Sequence, residues 1–291
     1  FLVDQGIDSN GLNGNILNAD AQAVTALNIS INTITDFTGL EAFVNLITLD
    51  AGTNQFATLP LTTLSLLEEL VFNQNMVLAS LDLSGNPNLK RFQARANGGS
   101  NSGPISVINL SNNLQLEDIN IYNFRNLQNV IFPDTNTVVS IYLLMHNDIT
   151  VDFSGYSSLE SLSLSTNFNN NYPITATLPS EQNTLKTVAI QGGNIIDVDL
   201  SNFLALEAIS LQSTNTETID IPQTSTLTTI SISDHNIASA SFADASMLQN
   251  LTITRKQESP GLQLDITQNE ALTTLNASHN YMDALDLSQN T

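Results

Sequence analysis

The chain of 291 residues contains no cysteine and only seven lysines and arginines. Without cysteine, disulfides and thiolate metal sites are excluded, and neither redox compartment is favoured. No apolar run approaches the ~18 residues of a membrane-spanning helix, so membrane insertion is not expected. The start lacks a basic-then-apolar stretch, so a secretion signal has either been removed or was never there. Against the seven basic residues stand 28 acidic ones, a formal charge of −21. A field of that sign repels phosphate backbones and anionic lipid heads, which argues against nucleic-acid and membrane-surface binding. Its simplest role is solubility without self-association, and a monomer is expected. Charged residues make up 12% of the chain and hydrophobic ones 41%, so the surface is built mainly from Asn, Ser, Thr and Gln, which suit turns and exposed sheet.

What the chain has instead is repetition. "LESLSLSTN", Leu159 to Asn167, fits the template L-x-x-L-x-L-x-x-N, the strand signature of a leucine-rich repeat. Copies start at Val24, Leu46, Leu67, Leu89, Leu116, Val138, Leu159, Leu185, Leu206, Leu227, Leu248 and Leu272, mostly 21 or 22 residues apart. Each unit buries its apolar side against its neighbours, so length counts coils and not domains. The first, fourth and sixth places point inward, as Leu159, Leu162 and Leu164 do, with period-2 alternation over the last two. The following Asn, as at Asn54, Asn75, Asn167 and Asn280, leaves the strand and pairs with the backbone of adjacent coils. Three coils show that Asn one residue later, at Asn194, Asn215 and Asn236, and the coil from Leu116 has none in register. A second half-unit, such as "LDLS" (Leu81 to Ser84), "VDLS" (Val198 to Ser201) or "IDIP" (Ile219 to Pro222), reads as a short return strand. The expected fold is therefore mostly β: a right-handed leucine-rich repeat solenoid of about twelve coils, with a concave parallel sheet, short return strands and little helix.

Residues 1–23 do not fit the repeat and read as an N-terminal cap over the open end of the stack, with 24–291 as the solenoid. Phe1, Leu2, Val3 and Ile7 supply its inner face, and "NADAQAV" reads as a short helix with Asn18 as N-cap. "DSNGLNGN", Asp8 to Asn15, is tested as a calcium loop, which needs glycine at the sixth place and glutamate at the twelfth; counted from Asp8 those places hold Asn13 and Ala19, and the spacing fails. No metal and no cofactor is expected. The last residues, "ALDLSQNT", stop inside a repeat, so a C-terminal continuation is expected. Three coils take 27, 26 and 24 residues and carry insertions: Asn97 to Pro104, Asn167 to Ser180, and Arg255 to Gly261. Such insertions project from one rim, which makes Asn101 and Tyr172 candidate contact residues.

The pairing of this strand with an x-L-D-L-S return resembles the secreted leucine-rich repeat proteins of Bacteroidetes. "ITDFTGLEAFVNLITL", Ile34 to Leu49, is similar to the first repeat of those proteins and of internalin-like surface adhesins. The resemblance covers the whole chain and implies a secreted or cell-surface bacterial protein. It is specific for fold and weak for ligand, since binding residues differ between members.

The third, fifth and seventh places of each strand face the concave side, and stacking sets equivalent places about 4.8 Å apart. The central seventh-place row reads Asn73, Arg95, Tyr122, Leu144, Ser165, and the fifth-place row reads Val71, Gln93, Asn120, Tyr142, Ser163. Four of the seven basic residues, Lys90, Arg91, Arg95 and Arg125, lie between positions 90 and 125. Lys90 sits between Glu68 and Glu117 in its row and Arg91 between Glu69 and Asp118, which reads as cross-strand charge ladders. Arg95 has no acidic neighbour in its row. With Tyr122 and Tyr142 it forms either a recognition patch, of the residue types found at binding hot spots, or a stack within the sheet. Arg91, Gln93 and Asn120 complete the candidate patch.

Catalysis has little to stand on. His146, His235 and His279 lie in different coils, too far apart to converge, and each reads as an exposed turn residue. The return-strand aspartates, Asp82, Asp152, Asp199, Asp220, Asp265 and Asp286, place one carboxylate per coil, which suits solvated turn caps and falls short of the oxygens calcium takes. The expected function is non-catalytic: a recognition or adhesion module that binds a protein partner through the concave face. The alternatives are a glycan-binding accessory of a polysaccharide-utilisation system, using Tyr172 as well, or a structural spacer in a larger surface protein.

Overall fold

The structure is a computed structural model that describes residues 2–75, 77–96, 103–166, 172–178, 184–193, 197–224, 226–255 and 261–290. Residues 97–102, Asn101 among them, and Asn167 and Asn194 fall outside the described residues. The chain divides into two compact units, Phe1–Val138 with Tyr142–His146, and Val139–Ile141 with Asn147–Thr291.

The N-terminal unit holds the helix α1 (Asn18–Ala23), a 3-10 turn (Leu40–Ala42) and the strands β1 (Ala26–Asn28), β2 (Thr48–Asp50), β3 (Glu69–Val71), β4 (Arg91–Arg95), β5 (Val107–Asn109), β6 (Asp118–Phe124), β7 (Asn129–Ile131) and, from Tyr142 on, β8 (Ser140–Met145). Its main sheet runs β1-β2-β3-β4-β6, parallel and in register, with Asp50 beside Val71, Val71 beside Gln93 and Gln93 beside Asn120. The return strands β5 and β7 pair in parallel on their own.

The C-terminal unit repeats the plan with β9 (Ile149–Asp152), β10 (Ser161–Thr166), β11 (Ile174–Thr177), β12 (Thr187–Gln191), β13 (Asp197–Asp199), β14 (Ala208–Gln212), β15 (Thr218–Asp220), β16 (Thr229–Ser233), β17 (Ser239–Ser241), β18 (Asn250–Thr254), β19 (Gln263–Asp265) and β20 (Thr274–Asn276). The even strands from β10 to β20 make its parallel sheet, and β9-β11, β13-β15 and β17-β19 are the return pairs. The fold is the expected mostly β, parallel-sheet solenoid with almost no helix. It has about ten turns, slightly fewer than the twelve expected coils.

The inward places carry the core: Leu159, Leu162 and Leu164 are at most 1% exposed, as are Leu206, Ile209 and Leu211. Aromatic rings fill the wider gaps. Phe72, Phe92 and Phe124 come from three successive coils, the Phe72 ring lying 5.7 Å from Phe92 and 6.3 Å from Phe124.

A regular corner follows eight strands of the main sheet. The eighth place of the repeat is left-handed in eight coils, with φ between 53° and 73° at Ile31, Thr53, Gln74, Asn123, Gly192, Ser213, Asp234 and His279. L-residues with side chains adopt this region at a cost, which is offset here by inter-coil bonds: Gln74 N–H donates to Arg95 O, and Asp234 N–H to Thr254 O. The corner turns the ninth side chain inward. Asn54 uses that position to donate to Ile29 O at 2.8 Å and Ala51 O at 3.1 Å and to accept from Ile34 N–H. Asn75 donates to Ala51 O and Phe72 O and accepts from Asn54 N–H, and Asn280 donates to Ile253 O and Ala277 O, so inter-coil asparagine bonds are present.

The structure corrects two expectations and bears out a third, the absence of an in-register asparagine in the coil from Leu116. The ladder does not slip by a residue in the later coils: its ninth place is filled by Thr214 and His235, both buried, while Asn215 is only half-buried and Asn236 is exposed. In the coil from Leu116 the same place is taken by the buried Phe124. Asn18 is the first helical residue, not the cap. Leu17 holds the cap position with extended backbone and no side-chain bond, and the helix's Asp20 accepts instead from Ser9 N–H and Oγ.

A second buried asparagine column, unseen in the sequence, runs behind the return strands. Asn113 donates to Leu83 O and Asn86 O, and Asn269 to Phe242 O and Ala245 O, each pair in the preceding coil. It occupies the second residue after the Ser or Thr of the x-L-D-L-S half-unit, and Asn86 and Asn290 hold the same place. The return aspartates cap their own turns: Asp82, Asp199 and Asp265 accept from both N–H and hydroxyl of the residue two places on. These bonds hold the three carboxyls below the usual carboxylate range.

Candidate functional site

The outward face of β4, β6 and the end of β8 is where the chain departs most from its polar background. Parallel pairing sets Arg91 beside Asp118, Gln93 beside Asn120 and Arg95 beside Tyr122, as the row reading required. The exposed Arg95 donates through Nε to Asn120 Oδ1 at 3.3 Å and has no carboxylate partner among the described residues. The rings of Tyr122 and Tyr142 lie 5.8 Å apart, tilted by 31°, a separation within the range that aromatic pairs favour. Burial pushes the Tyr142 phenol above its ordinary range, Tyr122 adds to the rise, and the Arg95 charge opposes it. Arg95, Asn120, Tyr122 and Tyr142 are therefore one connected patch. Replacing Arg95 by glutamine is expected to raise the Tyr142 phenol further, which phenolate absorbance in an alkaline titration measures; an unchanged midpoint contradicts the contact.

Arg91 is less available. Its guanidinium bonds Glu69 at 3.1 Å, and Lys90 bonds Glu68 at 2.9 Å. Glu69 holds the Arg91 charge in place, with smaller help from Asp118 and Glu117. A third such pair, Lys186 with Glu160 at 2.7 Å, stands in the C-terminal unit. These exposed pairs are worth little to stability and keep three of the seven cations occupied. Gln93, half-buried, lies in the fifth-place row between Val71 and Asn120.

Beside the patch stands a histidine expected at an exposed turn. His146 is instead half-buried at the ninth place of its coil, and its Nε2 lies 2.6 Å from Asn123 Oδ1. Burial lowers its pKa and the Arg125 charge lowers it further. His235, 3% exposed, is likewise a ninth-place residue. Of the three histidines only His279 is the exposed turn residue expected. The signal available in the sequence was register: histidine in the asparagine place is histidine turned inward.

The seventh-place row is also less open than the template implied. Leu144 and Ser165 are buried, at 8% and 2% exposure. Ser165 is short and donates to Gln191 Oε1 at 3.0 Å, so the longer side chain lies over it. Tyr172, a candidate from the insertion, belongs to the C-terminal unit, where it is half-buried and its carbonyl accepts from Thr166 Oγ1. The outward places of that unit hold Ser161, Ser163, Thr187, Ala189, Ser231 and Thr252, a polar surface without charge. Among the described residues no three His, Asp or Glu side chains are grouped to hold a metal ion, and no helix is long and apolar enough to cross a membrane.

No protein-family model matches the chain, and no curated protein matches it by sequence. Among the solved structures that share its fold, three serve as examples. The functional domain of InlJ from Listeria monocytogenes, which includes a cysteine ladder, aligns with a TM-score of 0.65 at 18% identity over 95% of this chain and 68% of that one. The internalin InlF of the same organism aligns at 0.56 and 16% identity over 99% and 92%. A leucine-rich repeat protein of Leptospira interrogans gives 0.56 and 18% over 94% and 71%. At these identities the likeness is one of fold. Where InlJ includes a cysteine ladder, this chain has no cysteine and stacks asparagines.

Proposed function

We propose that the protein is a non-catalytic recognition module whose outward sheet face binds a protein partner, anchored on Arg95, Tyr122 and Tyr142. One observation carries this reading: the sole strongly amphipathic group on the described sheet faces is a guanidinium without a carboxylate, set against two tilted tyrosine rings. Arg and Tyr dominate binding hot spots because they combine large contact area with directed hydrogen bonds. A solenoid presents such a face already ordered, which limits the entropy lost on association. The bacterial fold neighbours support placing the protein among secreted or surface-displayed, internalin-like proteins, and the resemblance to Bacteroidetes repeat proteins supports that source.

The test compares partner capture by the wild type, Arg95→Ala, Tyr122→Ala and a protein lacking residues 167–171 of the insertion, which spares β11 (Ile174–Thr177). Either patch substitution is expected to weaken capture about 30-fold, while loss of the insertion leaves it intact and a glycan array stays flat. Unchanged capture by the patch variants, with loss on deletion of the insertion, refutes the reading. A positive array that depends on Tyr122 replaces the protein partner with a glycan.

A further inference from the structure

On the same unit, next to the arginine strand, the sheet face sinks into a hollow of about 360 Å³, at the lower end of the range for ligand hollows. Ala26, Asn28, Thr48, Asp50, Glu69 and Val71 line it. The hollow exists because the third- and fifth-place side chains of β1 and β2 are short where those of β4 are long. Its chemistry is anionic. Glu69 is shared with Arg91 across the wall, but Asp50 has no cation among the described residues. One of its oxygens accepts Gly52 N–H at 2.9 Å, which leaves the other to a ligand. The charge sign therefore reverses along one face: a carboxylate in the hollow, then the ridge of Arg91 and Arg95, then the tyrosine rings.

We propose that this hollow receives a lysine or arginine side chain of the partner that the Arg95–Tyr122–Tyr142 patch holds. The inference rests on that reading of the patch and adds the partner's chemistry. A single carboxylate with half its acceptor capacity open matches one ammonium or guanidinium group and offers a metal ion too few oxygens. The net charge of −21 favours the approach of a basic segment. Asp50 and Arg95 stand two strands and two places apart, roughly 12 Å at sheet spacings. The recognised segment is therefore extended, with a basic residue followed three or four positions away by the aromatic or acidic group that meets Arg95 and the tyrosines. Alternating sign fixes the register and direction of such a segment and penalises the reverse arrangement.

The test uses a displayed library of random linear peptides, selected on the immobilised protein and then synthesised for binding measurements. The substitution is Asp50→Asn. Asn28 occupies the same register position on β1 and makes the equivalent turn bond to Ser30 N–H at 3.0 Å, so asparagine keeps the local structure and removes only the charge. Peptides whose binding falls with Tyr122→Ala are expected to carry lysine or arginine and to lose about tenfold or more in affinity to Asp50→Asn. Replacing that basic residue by methionine should weaken wild-type binding equally and abolish the effect of Asp50→Asn. Tyr122-dependent peptides without basic enrichment, or indifferent to Asp50→Asn, overturn the hollow and leave the patch standing. A selection that yields no Tyr122-dependent peptide overturns both.

Discussion

Phe72→Ala is expected to destabilise the N-terminal unit by about 3–5 kcal/mol. The ring is 1% exposed and supplies the sixth place of its coil, where it meets Phe92 from the fourth place of the next coil and Phe124 from the ninth place of the one beyond. Truncation removes the transfer energy of the ring and leaves a void that three coils line. Coils stacked in register cannot close that void without breaking the strand bonds between β3 and β4. Phe92 and Phe124 would then face a gap where ring edges had packed. The urea midpoint measures the loss. A cost below about 1 kcal/mol would mean that the neighbouring rings collapse into the space and that this stack is softer than its burial implies.

The second large effect is one of acidity in the C-terminal unit. His235 has a pKa of about 4 instead of 6.5, first because burial disfavours its charge and second because the Arg255 guanidinium lies nearby. Its Nδ1 accepts Ile237 N–H at 3.0 Å, which keeps that nitrogen unprotonated, and Arg255 donates to Ile237 O on the same turn. The folded pKa is depressed, so the unfolded chain binds the proton more readily. The stability from the neutral ring is fully present above pH 6.5 and is lost as the pH falls toward 4. At about 1.4 kcal/mol per unit, the loss at pH 4 amounts to about 3 kcal/mol. Falling charge repulsion among the carboxylates acts in the opposite direction, so the comparison requires a second protein. His235→Asn restores the residue found at the same place in Asn54 and Asn280 and should lack this pH dependence. The difference in urea midpoint between the two proteins, followed from pH 7 to 4.5, isolates the histidine. A constant difference refutes the assignment. The aspartate turn caps lose their contribution only below their unfolded value near 3.8 and do not contaminate this window.

Much of this architecture followed from spacing. Leucines at the first, fourth and sixth places set coil length, inward face and register, which is why the pairing of Gln93 with Asn120 and of Arg95 with Tyr122 could be read from the chain alone. What spacing does not carry is the identity of the residue that fills a buried polar place. Asn215 and Asn236 are the asparagines near that place, yet the left-handed corner directs Thr214 and His235 inward. The second column was missed because Asn86 and Asn113 look like ordinary turn asparagines until their amides are seen to bond the preceding coil. The hollow by Asp50 depends on side chains that are short, and a surface formed by what is missing leaves no motif in the sequence.

The two asparagine columns have a consequence for how such a chain changes length. Each amide bonds only its own coil and the one before it, so a whole coil of 21 residues duplicated or lost by recombination leaves every remaining amide with an equivalent carbonyl. A fractional change within a strand or its corner orphans buried groups, at about 1–3 kcal/mol for each, whereas one placed between the bonded positions is tolerated: Asn113 bonds the coil of Asn86 across 27 residues. The stack itself therefore lengthens or shortens in whole steps. Every step inserts or removes one row of outward side chains about 4.8 Å wide, so the distance between two contact points is an inheritable variable separate from the contacts themselves.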